Sequence, residues 1–366
     1  MTAKEFLIWY KKASKKYSET FLAKWQSEAG KAGQVPEEMV GKFADLYPRG
    51  KMLRGALSFL GYQVAGGKRM QEILKASIFV ELFNTAILIC DDVFDSDKIR
   101  RGLPTIHEQW KELVSSKKPH FAHSTTLRAT LGARHYGHSM GINTGIMGFY
   151  LAQIPLLEAN FSIKRKHKAL LEFSRFAARL AWGEGMDISS SYPIARLNLA
   201  GNARKIHQLK TVEYTGIMPL KIGAVLAGAS QKKLELLGKY GESLGRVFQI
   251  QDDIIGSFGD PVKTGKSNTS DISDGRWTVL VEILWEKADK KDKQVLRKIF
   301  EKSKRGAGEI KVVKSLMVKY EVVGLARERA QRYLRKGLGV VPKVTKDKEH
   351  QDTMENLLYF MISRTK

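Results

Sequence analysis

The segment from residue 70 to 95 constrains this chain more than any other. Six of the ten residues from Ser77 to Ala86 are apolar, and so is every residue from Ala86 to Cys90. The run then ends in Asp91-Asp92-Val93-Phe94-Asp95. A stretch this long and apolar reads as a helix buried on most of its faces. Carboxylates on such a helix are costly unless a cation neutralises them. A second pair, Asp252-Asp253, follows Val247-Phe248-Gln249-Ile250-Gln251 in the same way. Two facing carboxylate sets would make a cage for Mg²⁺, which usually arrives with a diphosphate.

Helical spacing dominates elsewhere too. Residues 3–30 place Phe6, Leu7, Tyr10, Tyr17, Phe21 and Trp25 among lysines, and residues 139–160, 168–188, 205–228 and 235–258 are further long helix candidates. Few segments alternate with a period of two. The expected fold is therefore all-α: a helical bundle around a deep central apolar cavity. Residues 112–135 and 259–276 read as loops, rich in Ser, Lys and His or in Ser, Thr and Asp. The segment after 285 reads as charged helices broken near Gly337-Leu338-Gly339, and Pro342 reads as a break as well. Length alone suggests two domains. No linker separates them, so a single domain over 1–366 is expected, with an inserted basic loop over 111–135 and charged C-terminal helices over 285–366.

The single cysteine excludes an internal disulfide, and Met1-Thr2-Ala3-Lys4-Glu5 lacks the apolar core of a secretory signal. No run approaches the roughly 20 consecutive apolar residues of a membrane span. A cytoplasmic setting is expected. The net charge of +24 would suit nucleic acid, anionic membrane or phosphorylated ligands. No zinc-finger spacing, RNA-binding aromatic motif or basic-zipper heptad accompanies it, so nucleic acid is not expected as a partner. His120-x-x-His123 and His135-x-x-His138 have metal-ligand spacing but no carboxylate or thiol set beside them.

On a helix, Asp91 and Asp95 share a face, with Asp92 about 100° round. Basic residues surround this cluster in sequence: Arg49-Gly50-Lys51-Met52-Leu53-Arg54 upstream and Arg100-Arg101-Gly102-Leu103-Pro104 downstream. Arginine forks grip phosphate oxygens bidentately, and lysine supplies a point charge. Later come Lys210-Thr211 in an apolar setting, Gln249-Ile250-Gln251-Asp252-Asp253, Phe258-Gly259-Asp260-Pro261 and Thr264-Gly265-Lys266.

In this order, from about residue 45 to 285, these motifs resemble the trans-type isoprenyl diphosphate synthases, the polyprenyl synthetases that include farnesyl and geranylgeranyl diphosphate synthases. The resemblance implies Mg²⁺-dependent head-to-tail condensation of isopentenyl diphosphate with an allylic diphosphate (dimethylallyl, geranyl or farnesyl), with three Mg²⁺ ions when substrate is bound. Asp91, Asp92 and Asp95 would bind Mg²⁺ bridging the allylic diphosphate, and Asp252 and Asp253 a further ion. Lys210, Lys266 and Arg100 would neutralise that diphosphate. Lys51, Arg54 and Arg101, with Asn84, would hold isopentenyl diphosphate. Thr211 and Gln251 would lie beside the developing carbocation. A homodimer is implied, and peripheral membrane contact is a further expectation because the product is greasy.

Product length would depend on the residues one and two turns before Asp91: Ile87, Ala86 and Phe83. Ala86 is small, so a fifteen-carbon chain should pass; Phe83 could cap the tunnel deeper down. Geranylgeranyl diphosphate is the expected product, with farnesyl or longer chains as alternatives. The chain departs from the family pattern at Asn84 (often His), Glu184 (usually Gln), Gly145-Ile146 (a Gly-Asp pair) and Gly256, where the second cluster's third carboxylate is missing. These departures leave room for a non-catalytic subunit. A class I terpene cyclase would not need Lys51, Arg54 and Arg100-Arg101 for a second diphosphate, and would carry an Asn/Ser/Glu metal motif in place of Asp252-Asp253.

Overall fold

The structure is a computed structural model. It describes residues 1–116, 126–190, 203–260, 268–302 and 304–364, and the backbone alone over 126–130. Apart from one two-stranded ribbon, the regular elements among the described residues are helical, so the all-α expectation holds. The chain divides into two compact units. An N-terminal unit comprises Leu7–Phe59 and Lys68–Lys166. A C-terminal unit comprises Met1–Phe6, Leu60–Gly67 and His167–Lys366.

The N-terminal unit holds most of α1 (Ala3–Ala32), α2 (Gln34–Leu46), a 3₁₀ turn (Tyr47–Arg49), the start of α3 (Leu53–Val64), α4 (Met70–Phe94), strands β1 (Ile99–Arg100) and β2 (Leu103–Pro104), α5 (Ile106–Ser116) and α6 (Thr126–Glu158). α4 is the apolar run read from the sequence. It is long and apolar enough to cross a membrane, yet 78% of its apolar window is buried, as suits a core helix. Ile78, Phe79, Val80 and Leu82 are almost fully buried, pointing to several sides of the helix. Each contributes about 1.5–3 kcal/mol on removal from water. α6 reaches α4 through small residues: a Cβ on Gly145 would lie 2.4 Å from Cys90 Sγ, and one on Gly148 would lie 2.9 Å from Ala86 Cβ.

The C-terminal unit contains α7 (Ile163–Ser190, all but its first turn), α8 (Ala203–His207), a π-helical stretch (Gln208–Ile217), α9 (Met218–Ala227), α10 (Gln231–Phe258), α11 (Ser270–Asp274), α12 (Val279–Lys287), α13 (Lys290–Phe300), α14 (Ala307–Lys319), α15 (Val322–Val344) and α16 (Lys348–Ser363). Its core gathers Leu280, Leu284, Leu296, Phe300, Val313 and Met317.

Three local expectations are corrected. The loop expected over 111–135 is helical at both ends, to Ser116 in α5 and from Thr126 in α6. The two helices pack on each other at its edges, where Trp110 meets Tyr136 edge-on at 6.2 Å and His107 meets His138 at 5.3 Å. α15 runs unbroken through Gly337-Leu338-Gly339 and Pro342. Gly337 serves close packing, since a Cβ there would lie 2.9 Å from Leu358 and 3.0 Å from Ser243. The helix expected over 205–228 is one path of three segments, α then π then α.

Candidate active site

Asp91 and Asp92 occupy the last turn of α4, and Asp95 is its C-cap, its N–H donating to the Asp91 carbonyl at 2.8 Å. The chain then forms a hairpin in which Arg100 pairs with Leu103. The two residues between them, Arg101 and Gly102, have φ of 53° and 79°. A two-residue hairpin turn needs positive φ at both positions, so glycine follows the arginine. The turn sends the two arginines to different partners. Arg100 Nε donates to Asp92 Oδ1 at 2.5 Å, and its Nη2 lies 2.9 Å from Asp97 and 3.7 Å from Asp91. Arg101 Nη1 donates to the Leu46 carbonyl at 3.0 Å.

Asp92 is fully buried. Burial raises its carboxyl to about 7, although Arg100 pulls the other way. Its Oδ2 is buried with no hydrogen-bond partner among the described residues. Asp91 and Asp95 are only half-buried. An unsatisfied buried acceptor beside two reachable carboxylates fits a hard divalent cation. Among the described residues no three His, Cys, Asp or Glu side chains form a ready-made cage. Mg²⁺ takes one or two carboxylates and completes its shell with water and substrate phosphate.

The start of α3, beside the upstream basic residues, is held by a carboxylate that sequence reading missed. Glu81, buried in α4, accepts the Gly55 N–H at 2.7 Å near the start of α3, which carries Arg54. Arg54 and Glu81 both act electrostatically on Arg101. Lys51 is exposed, and the following residue, Met52, has φ of 55°. A bulky residue held at positive φ is strained, and such strain concentrates at functional sites. Asn84 is buried on α4. Phe83 is buried with its ring 5.4 Å from Phe149, Ala86 is fully buried, and Ile87 is half-buried.

The other expected site residues lie in the C-terminal unit. Lys210 sits in the π-helical stretch, a rare geometry found mostly at functional sites. This stretch lies backbone-close to α10, where a Cβ on Gly216 would meet the Gly241 carbonyl oxygen at 2.0 Å. Lys210 Nζ reaches two carboxylates of α7, Glu184 at 2.8 Å and Asp187 at 2.7 Å. Asp187 was not foreseen; its signal is the three-residue step from Glu184, which places both on one helical face. Thr211 is half-buried beside Lys210.

On α10, Asp253 is buried and accepts from Gln249 Nε2 at 2.7 Å and from the Val279 N–H at 2.7 Å. Burial holds its carboxyl well above the ordinary range, and Asp271 and Asp252 push the same way. Asp252 is more open and lies 2.9 Å from Arg364 Nη1. Gln251 Nε2 donates to the Arg364 carbonyl at 2.5 Å. At Gly256, the position of the missing third carboxylate, a Cβ would lie 2.6 Å from Asp271 Oδ2. A neighbouring short helix thus brings a carboxylate to the place that the α10 sequence leaves bare. Lys266 lies outside the described residues, as do His120 and His123.

The family model for polyprenyl synthetase matches residues 37–317. The chain is 27% identical to a geranylfarnesyl diphosphate synthase of Aeropyrum pernix, over 91% of this chain and 96% of that protein. It is 25% identical to a geranylgeranyl diphosphate synthase of Sulfolobus acidocaldarius, over 86% of each. Its fold matches the crystal structure of a geranylgeranyl pyrophosphate synthase from Corynebacterium glutamicum complexed with isoprenyl diphosphate and magnesium. That match has a TM-score of 0.85 at 23% identity and covers 97% of this chain and 98% of that one.

Proposed function

The chain belongs to the polyprenyl synthetase family, and on that premise we propose that it condenses isopentenyl diphosphate with an allylic diphosphate, head to tail, to give a linear all-trans prenyl diphosphate. The observation that carries this reading is the span of the family match. Residues 37–317 contain both carboxylate clusters and every basic residue assigned to a diphosphate. Trans-prenyl chain elongation is also what the curated relatives do by name.

The assigned side chains have distinct tasks. Asp91 and Asp95, with Asp92 beside them, and Asp252 and Asp253 would hold divalent metal, three Mg²⁺ ions with substrate bound. Bound Mg²⁺ would withdraw charge from the leaving diphosphate and ease ionisation of the allylic C–O bond. Arg100, fixed against Asp92 and Asp97, would lend its charge to the same diphosphate. Lys210 and Lys266 add charge to that end. Lys51, Arg54, Arg101 and Asn84 hold isopentenyl diphosphate. Thr211 and Gln251 place hydroxyl and amide dipoles near the developing cation. The double bond of isopentenyl diphosphate attacks that cation, and the released diphosphate accepts the proton. Apolar walls exclude the water that would quench the cation.

The proposed product is geranylgeranyl diphosphate, with Phe83 as the cap; the Aeropyrum relative's name supports a longer chain as the second reading. A non-catalytic subunit is the remaining alternative, and the double acid pairing of Lys210 supports it. We place the protein in the cytoplasm as one homodimeric domain with peripheral membrane contact and no nucleic-acid partner. Exposed Ile142, Ile146 and Tyr150, four residues apart on α6, support the dimer. Asp91→Ala should abolish Mg²⁺-dependent condensation while leaving the melting temperature near wild type. Unchanged turnover would overturn the metal assignment.

A further inference from the structure

A cationic hollow of the C-terminal unit has no part in the reaction above. It encloses about 320 Å³ and is lined by Arg204, Arg329, Arg332, Tyr333 and Lys336, with no carboxylate among the described residues of this wall. Arg329, Arg332 and Lys336 recur at three- and four-residue steps, so α15 presents them on one face. Like charges at that spacing repel.

The local acids answer only part of this charge. Glu282 and Glu286 both pair with Arg329, at 3.0 Å each, and Arg204 reaches Glu282 at 3.6 Å. Arg332 makes no ion pair among the described residues, and Lys336 Nζ lies over the Tyr333 ring at 5.6 Å. A narrower extension shares Arg204, Arg329 and Tyr333 and runs inward to His207, Arg246 and Gln249, with Glu282, already paired to Arg329 and Arg204, on its wall. There Arg246 Nη2 donates to Gln208 Oε1 at 2.5 Å, while its buried Nε has no hydrogen-bond partner among the described residues. A buried guanidinium N–H left unsatisfied is costly and calls for an acceptor. Guanidinium forks beside a phenol and an ammonium are the donor set that phosphate oxygens fit.

We propose that this hollow binds a phosphate group, at a site apart from both carboxylate clusters. Its inner end is one side chain from Asp253, because Gln249 lines the extension and donates to Asp253 Oδ1. The proposal rests on the hollow's own geometry and not on the reading of the reaction.

The test uses the full chain in Mg²⁺-free buffer with chelator. Inorganic phosphate is titrated calorimetrically into wild type, Arg332→Ala/Lys336→Ala and Arg101→Ala. Both residues of the double variant are exposed, and its melting curve checks the fold. The expected result is one saturable event that survives Arg101→Ala and weakens at least about tenfold in the double variant. Sedimentation with phosphatidylglycerol vesicles separates the sources. Binding to vesicles that needs Arg332 and Lys336 assigns the site to a lipid headgroup, and soluble binding alone assigns it to a free anion. Phosphate and vesicle binding that are both absent, or both indifferent to the double variant, overturn the proposal.

Discussion

Glu184→Gln should make this protein bind its allylic diphosphate more tightly. Lys210 is assigned to that diphosphate, yet its ammonium already faces Glu184 at 2.8 Å and Asp187 at 2.7 Å. The lysine side chain is 22% exposed and each acid 16%, so water screens the group only in part. At an effective dielectric constant near 20, opposite unit charges at this separation attract by about 6 kcal/mol. Desolvation and side-chain ordering offset most of that, leaving about 1–3 kcal/mol for a charge-assisted contact. Removing the Glu184 charge changes the local sum from one cation and two anions to one of each. The released attraction then serves the incoming phosphate. The expected gain is about 5- to 150-fold in Kd. The assay is calorimetric titration of an allylic diphosphate with Mg²⁺, in the absence of isopentenyl diphosphate, into wild type and variant. Equal or weaker binding by a variant that melts normally would refute the reasoning, and would mean that Glu184 orders Lys210 without competing for it.

Three further outcomes follow from the same geometry. Gly256→Asp should cost about 1–3 kcal/mol in urea denaturation, because the new side chain meets Asp271, and adding Asp271→Gly should recover most of it; a single variant as stable as wild type removes the claim that Asp271 fills that place. His207 is buried, and burial lowers its imidazole from 6.5 to about 4. The folded state therefore binds fewer protons than the unfolded chain in that window. Stability from this group is full above pH 6.5 and falls by about 3 kcal/mol as the pH drops through 4. Denaturation curves of His207→Gln should lose this slope, and an unchanged slope would assign it elsewhere. Phe83→Ala should lengthen the prenyl product; an unchanged chain length would leave Phe83 as packing against Phe149 alone.

The long helices were legible because apolar periodicity is a local property. α4 announces itself through unbroken burial, and α10 through its apolar run ahead of Asp252. What sequence reading missed depends on partners distant in the chain. Gly337 looks like a helix breaker until Leu358 and Ser243 are seen against it. The polar stretch before His138 looks like a loop until α5 supplies Trp110 and His107. The π-helical stretch carries no periodic signature of its own, because its register is set by close approach to α10 and α7. The basic motifs and aspartates of the candidate site were readable as motifs. Their supports were not: Glu81, Asp187 and Asp271 each act across 15 or more residues of sequence.

The most direct measurement is incubation of purified protein with Mg²⁺, labelled isopentenyl diphosphate and, in turn, dimethylallyl, geranyl and farnesyl diphosphate, followed by dephosphorylation and chromatographic sizing. Labelled linear prenyl alcohols, of twenty carbons for the product proposed, are the predicted result. No incorporation from any primer would contradict the account and make the protein a non-catalytic relative of the enzymes it resembles.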